Sequence, residues 1–293
     1  MNSITIAIKN KTNLTLQLEK KYNVVYYKKP TFLSKLSLKK TEYPDINFHK
    51  GFVSKEAESL IENSQLSIVN SVTLKKEIVA KRSSIDSDKI EVIYPYYHSR
   101  NSYDKTLKKE FRKKHNIEKK SKIILFRGND LSKSGLEYLF DTMSRLYKNN
   151  FTLIIESTSK QIIPLRLQME RAKVGYSYIL FEDYDNIDEL FNAADIFLLP
   201  TQQKYFALDC MRAMYFRNVV FLMETNHASE LLDVFSLIQG DTDKSTSFKV
   251  DSLLISNEEL KKIQKENQKI AYAHSLENSV EKMTNIISKN FDI

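Results

Sequence analysis

Two basic side chains, Lys204 and Arg212, stand eight positions apart in "PTQQKYFALDCMRAMYF", residues 200–216. Proline and a polar run precede "FALDCMRAMYF", whose apolar residues recur at helical spacing, so the segment reads as a loop that opens a helix near Phe206. The first turn of a helix leaves backbone N–H groups without partners and carries the positive end of the dipole, which suits an anion. Phe206, Ala207 and Leu208 would offer those amides, and Lys204 and Arg212 would add charge. Upstream, "RGNDLSKSG", residues 127–135, ends an apolar run and carries Arg127, Gly128, Asn129 and Lys133. Lys and Arg are hydrogen-bond donors only. The chemistry open to basic residues at such a helix start is the gripping of an anion.

Such loops need a scaffold that brings them to one edge. From residue 122 the pattern alternates: strand "KIILFRG", helix "GLEYLFDTMSRLYKN", strand "FTLIIES", a helix near "PLRLQMERAKV", strand "YILFED", helix "IDELFNAA", strand "DIFLLP", helix "FALDCMRAMYF", strand "VVFLM". Strands alternating with helices predict a parallel sheet with helices on both faces, and ligands in such sheets sit beyond the carboxyl ends of the strands. The closing segment, residues 256–290, reads as charged helix broken around His274 and Ser275.

The first part of the chain carries a similar but shorter pattern. "SITIAI", "NVVYY", "LSIVNS" and "KIEVIYP" read as strands; "SKEAESLIENS" reads as a helix with Ser54 as N-cap, and "VTLKKEIVAKRS" as another helix. Residues 28–40 combine Phe32, Leu33, Leu36 and Leu38 with five lysines, a pattern shared by surface helices with a buried face and by helices that lie on membranes. Residues 99–121 are polar and strongly basic, show no wide apolar face, and read as a linker.

Length and composition set bounds. The 293 residues are 42% hydrophobic and 28% charged, enough for two domains with their own cores. One cysteine, Cys210, excludes an internal disulfide and a multi-cysteine zinc site. No apolar run approaches a membrane span and the first residues lack a signal pattern, so a cytoplasmic protein is expected. The net charge of +8 is uneven: residues 1–115 hold 23 Lys and Arg against 12 Asp and Glu, and the remainder holds 22 against 25. The basic half suggests an anionic partner such as a lipid headgroup surface, although scattered surface lysines give the same count. No nucleic-acid-binding module is present, and no nucleic-acid partner is expected.

From about Asn63 onward the order of segments resembles the retaining GT-B glycosyltransferases of the family four type, the glycosyl transferases group 1. "SIVNSVTLKKEI" with "KIEVIYPYYHS" is similar to the end of that family's first domain. "KIILFRGNDLSKSGLEYLFDTM" is similar to its phosphate-binding loop and helix, "NIDELFNAADIFLLPT" to its most recognisable segment, and "AHSLENSVEKMTNII" to its closing helix. The resemblance implies an α/β protein of GT-B fold: two Rossmann-like domains with parallel sheets facing an inter-domain cleft. Their expected extents are 1–115 for a short acceptor-side domain and 116–293 for the nucleotide-sugar donor domain, the last helix being free to pack back on the first.

The same resemblance assigns roles and exposes departures. The family's phosphate loop presents Gly-Arg and Lys-Gly, matched here by Gly128-Asn129 and Ser134-Gly135, with Arg127 and Lys133 each displaced by one position. Its two sugar- and ribose-binding acids are matched by Lys204 and Arg212, so those hydroxyl contacts cannot be made as in the family. Glu182 and Asp183 match the loop near the nucleotide base, Glu230 a helix-entering acid, and His49 a histidine near the reacting sugar. Glu230 also has a purely structural reading, as an acid favoured at a helix start, and a lone histidine such as His49 is more often structural. The implied activity is retaining, metal-independent transfer of a sugar from a nucleotide-sugar donor to a lipid-linked or glycan acceptor, in surface glycan or lipopolysaccharide-type biosynthesis. No cofactor is expected, the nucleotide sugar being a substrate, and the enzyme would sit in the cytoplasm or peripherally on the inner face of the membrane. The alternative is a non-catalytic GT-B binding or partner subunit whose donor motif has decayed.

Overall fold

The apolar runs read above form two separate parallel sheets. In the computed structural model, residues 3–28, 42–82, 84–99 and 101–291 are described. Contacts divide the chain into two compact units, residues 1–96 with 274–293, and residues 97–273. Among the described residues no helix is long and apolar enough to cross a membrane.

The first unit holds β1 (Ile4–Ala7), β2 (Val24–Tyr26), β3 (Ile46–His49), β4 (Leu66–Val69) and β5 (Ile90–Val92), in the order β2-β1-β3-β4-β5 with every pairing parallel. Strand β3, in "INFH", is not signalled by the sequence pattern. Helix α1 (Asn13–Glu19) starts at a reciprocal cap between Thr12 and Thr15, α2 (Lys55–Asn63) at Ser54 as expected, and α3 (Val72–Lys81) at Ser71. The chain returns at its end: α11 (Leu276–Asn290) buries Leu276, Met283, Ile286 and Ile287 against Ile4, Leu14, Leu18 and Ile46. The expectation for residues 28–40 falls almost wholly outside the described residues.

In the second unit the strands are β6 (Lys122–Arg127), β7 (Phe151–Ser157), β8 (Ser177–Glu182), β9 (Ile196–Leu199), β10 (Val219–Met223) and β11 (Leu237–Ile238). Their order is β11-β10-β9-β6-β7-β8, again all parallel. Strands β7, β9 and β10 are buried along their whole length, which is why they read as continuous apolar runs rather than alternating ones. The helices are α4 (Lys105–Lys114), α5 (Leu136–Ser144), α6 (Ser159–Ala172), α7 (Ile187–Ala193), α8 (Leu208–Tyr215), α9 (Ser245–Ile255) and α10 (Asn257–Ala273). Helix α6 begins several residues before the expected segment and accommodates Pro164 in its second turn.

The reading of residues 99–121 as a linker is corrected by α4. This helix buries Phe111 and sends Lys108 and Arg112 to a single buried carboxylate, Asp195, at 2.7 and 3.1 Å. Lys108 Nζ also donates to the Ala194 carbonyl, Arg112 to the Ser121 carbonyl, and Ile123 N–H to Asp195. A helix with one apolar anchor can dock because its inward charges are matched, and that matching is invisible to a hydrophobic-periodicity reading.

Candidate functional site

The loop between β6 and α5 closes on itself because two glycines let it. A side chain on Gly128 would stand 2.0 Å from Ser134 Oγ, and Gly135, at φ +92°, approaches so near the loop after β9 that a Cβ would fall 2.1 Å from the Pro200 carbonyl oxygen. Thr201 Oγ1 donates to the Lys133 carbonyl at 3.0 Å, completing the join. The loop carrying Lys133 is thereby fixed beside the one carrying Lys204. Gly135→Ala is expected to cost about 1–3 kcal/mol from backbone strain and this contact, read as a shift in the denaturation midpoint.

Helix α8 starts at Ala207, which offers no side-chain cap, so the first turn keeps amides available to an outside acceptor. Phe206 is buried and Leu208 exposed. Asn226, 1 % exposed, fixes the approach to the helix: its Oδ1 accepts from Ala207 N–H and Ala228 N–H, and its Nδ2 donates to the Gln203 and Tyr205 carbonyls. His227 N–H donates to the Lys204 carbonyl at 2.8 Å. Asn226 was not singled out by the sequence; a lone asparagine after an apolar strand carries no distinguishing pattern.

Arg127 and Arg212 belong to one chain of ion pairs. Arg127, at the end of β6, donates Nε to Glu156 at 2.8 Å and a second nitrogen to Asp209 in the first turn of α8. Burial pulls its pKa down, but the Asp209 and Glu156 carboxylates outweigh this and hold it above its ordinary value. Arg212 lies 3.5 Å from both Asp209 and Asp188, and its guanidinium stacks 4.8 Å from the Tyr97 ring centre. Tyr97 and Ser99 hydroxyls both donate to Asp188. Burial first, then the hydrogen bond to Asp188, pushes the Tyr97 hydroxyl up to about 12. Three carboxylates thus balance two guanidinium groups. Of the acids, Asp209 had a readable signal, three residues before Arg212 on one helix face; Glu156 and Asp188 come from separate elements.

The other residues named from sequence lie as follows. Lys133 is 70 % exposed and pairs with Asp130 at 3.0 Å; Asn129 beside them is exposed, as is the Lys204 side chain. Glu182 is exposed at the end of β8. Asp183, in a left-handed conformation, donates its N–H to the Ser157 carbonyl and accepts from Ser159 N–H, a loop-fixing role. Glu230 sits half-buried in the first turn of a short 3₁₀ segment, His227–Leu231. His49 ends β3 in the first unit, half-buried, its Nε2 without a hydrogen-bond partner among the described residues. Burial lowers its pKa and so favours the neutral ring, opposed by a backbone bond to Gly51.

Comparison with known proteins gives the family and the fold. The family model "Glycosyl transferases group 1" matches residues 108–270. No curated protein matches the chain. Among solved structures, a glycosyltransferase from Rickettsia africae superposes with a TM-score of 0.72 at 16% identity, covering 96% of this chain and 81% of that one. HepE of Anabaena, crystallised with UDP and glucose, gives 0.71 at 13% identity over 97% and 91% of the two chains. WaaG, a glycosyltransferase involved in lipopolysaccharide biosynthesis, gives 0.64 at 14% identity over 96% and 85%.

Proposed function

The chain belongs to the glycosyl transferases group 1 family and has the GT-B fold, and from that premise we propose that it moves a sugar from a nucleotide-sugar donor to an acceptor hydroxyl with retention at the anomeric carbon. The observation that carries the reading is the join between the two loops at the carboxyl end of the second sheet, which ties the loop carrying Lys133 to the loop that leads into the uncapped start of α8. Departure of a nucleoside diphosphate places negative charge where these groups stand, and pre-set amides with a nearby ammonium stabilise that charge without a metal. The Asp209 carboxylate in the same turn would oppose it, but Arg127 and Arg212 take up that carboxylate.

The proposed donor is a uridine diphosphate sugar, by likeness to HepE, and the proposed acceptor a lipid-linked or glycan hydroxyl in surface glycan assembly, by likeness to WaaG. The basic first 115 residues support a peripheral place on an anionic membrane face. One observation favours the second reading, a non-catalytic binding subunit: Arg212, at a sugar-binding position of the family, is held by Asp188, Asp209 and Tyr97.

Titration with UDP decides whether the site is alive. UDP is expected to bind, and Lys133→Glu to weaken it by an order of magnitude or more, since a charge-assisted contact contributes about 1.5–3 kcal/mol. An unchanged dissociation constant removes Lys133 from the site. UDP binding without sugar transfer or donor hydrolysis over a panel of UDP-sugars turns the reading to the binding subunit.

A further inference from the structure

We propose that Asn226 is a positioning residue of the donor site: its buried side chain sets the path of residues 203–207 and so aims the first amides of α8 at the donor diphosphate. This rests on the donor reading above. The loop "TQQKYFAL", residues 201–208, contains no glycine, asparagine or aspartate. Those are the residues that shape tight turns by their own conformation or by bonding their own backbone. Thr201 makes one weaker bond of that kind at the start of the loop, its Oγ1 accepting from Gln203 N–H at 3.1 Å; from residue 203 to 207 the shape is imposed from outside, by Asn226 reaching in from the segment after β10.

Its amide is fully used. One side accepts from Ala207 at 3.2 Å and from Ala228 at 3.0 Å; the other donates to Gln203 at 2.6 Å and Tyr205 at 2.8 Å. His227 N–H takes the carbonyl between them, that of Lys204. Three successive loop carbonyls are thus committed to residues 226 and 227, so their partial negative charges are not left to face an anion. Because Ala207 N–H is spent on Asn226 and the helix has no side-chain cap, the amides left open among the described residues begin at Leu208 and Asp209. A change of loop path would move them together, and small misplacements of pre-set donors are costly. Lys204 rides on the same loop.

A merely structural asparagine would behave differently, and the same helix supplies the control. Asn218, fully buried just past the other end of α8, donates to the Phe191 and Phe216 carbonyls at 2.9 and 3.2 Å. Asn226→Ala and Asn218→Ala in the full chain should both lower thermal stability. Only Asn226→Ala should lose affinity for UDP, by about tenfold, the worth of one hydrogen bond, with affinity for uridine within about twofold of the parent. Should the alanine variant fail to fold, Asn226→Asp keeps the two accepted bonds and loses the two donated ones. Its reading is faster hydrogen exchange of the 203–208 amides than in the parent. If the parent protein binds UDP but Asn226→Ala and Asn218→Ala shift the UDP-to-uridine ratio equally, or exchange at 203–208 is unaltered in Asn226→Asp, the positioning role is overturned. If the parent binds neither ligand, the donor reading itself falls and takes this role with it.

Discussion

Asp195→Ala is expected to destabilise the second unit by about 3–5 kcal/mol, because it leaves Lys108 and Arg112 buried without their counter-charge. Both nitrogens lie within 3.1 Å of the carboxylate, and both side chains are 13 % exposed. The Ile123 amide would lose its acceptor as well. Burial pushes the Asp195 carboxyl up, but Lys108, the Ile123 amide and Arg112 outweigh it and hold it below the ordinary carboxylate value. A depressed folded-state pKa means that this stabilisation is fully present above the unfolded value of about 3.9 and is lost as pH falls through the folded one. Denaturant titrations at pH 7 should therefore show the full deficit, and the parent and the variant should converge as the solution is made strongly acidic. A deficit near zero at pH 7 would mean that α4 is not docked by this carboxylate.

Arg127→Met is expected to cost about 3 kcal/mol while changing UDP affinity less than Lys133→Glu does. Arg127 is 16 % exposed and its partner Glu156 only 7 %, so removing the guanidinium strands a carboxylate at the end of β7. Adding Glu156→Gln removes the stranded charge, and the double variant should recover most of the loss. The double-mutant cycle isolates the coupling from other effects of the methionine. If Arg127 instead served the diphosphate directly, the order would invert: little loss of stability, a loss of UDP binding comparable to that of Lys133→Glu, and no rescue by Glu156→Gln.

The fold was largely legible because parallel strands buried on both faces are written as uninterrupted apolar runs. "DIFLLP" and "VVFLM" could hardly be anything else once helices were seen between them. One cap was legible too: Ser54 opens α2, accepting from a backbone amide three residues on, whereas Ser275, read only as part of a break, opens α11 in the same way. Strand β3 escaped because "INFH" is short and only half its residues are buried, which leaves no run to see. Helix α4 escaped for the opposite reason: its inward face is charged, and Lys108 looks from sequence like any lysine in a basic stretch.

Sequence alone determined that residues 122 onward alternate strand and helix into a parallel sheet, and that a loop and a helix start stand beyond strand β9; the resemblance implied the other sheet. The first two are properties of periodicity and residue type within short windows, and a local pattern fixes them. Only the tertiary structure decided which charges are spent. Arg127 meets Asp209 from 82 residues away and is answered, while Arg212 lies 3.5 Å from Asp188 of the preceding helix with its buried Nε making no hydrogen bond among the described residues. Lys133 stays at the surface, paired among the described residues with a neighbouring, partly exposed Asp130. The physical reason is that hydrophobic periodicity is read along the chain, whereas a charge is satisfied by whichever element the fold brings within a few ångströms of it.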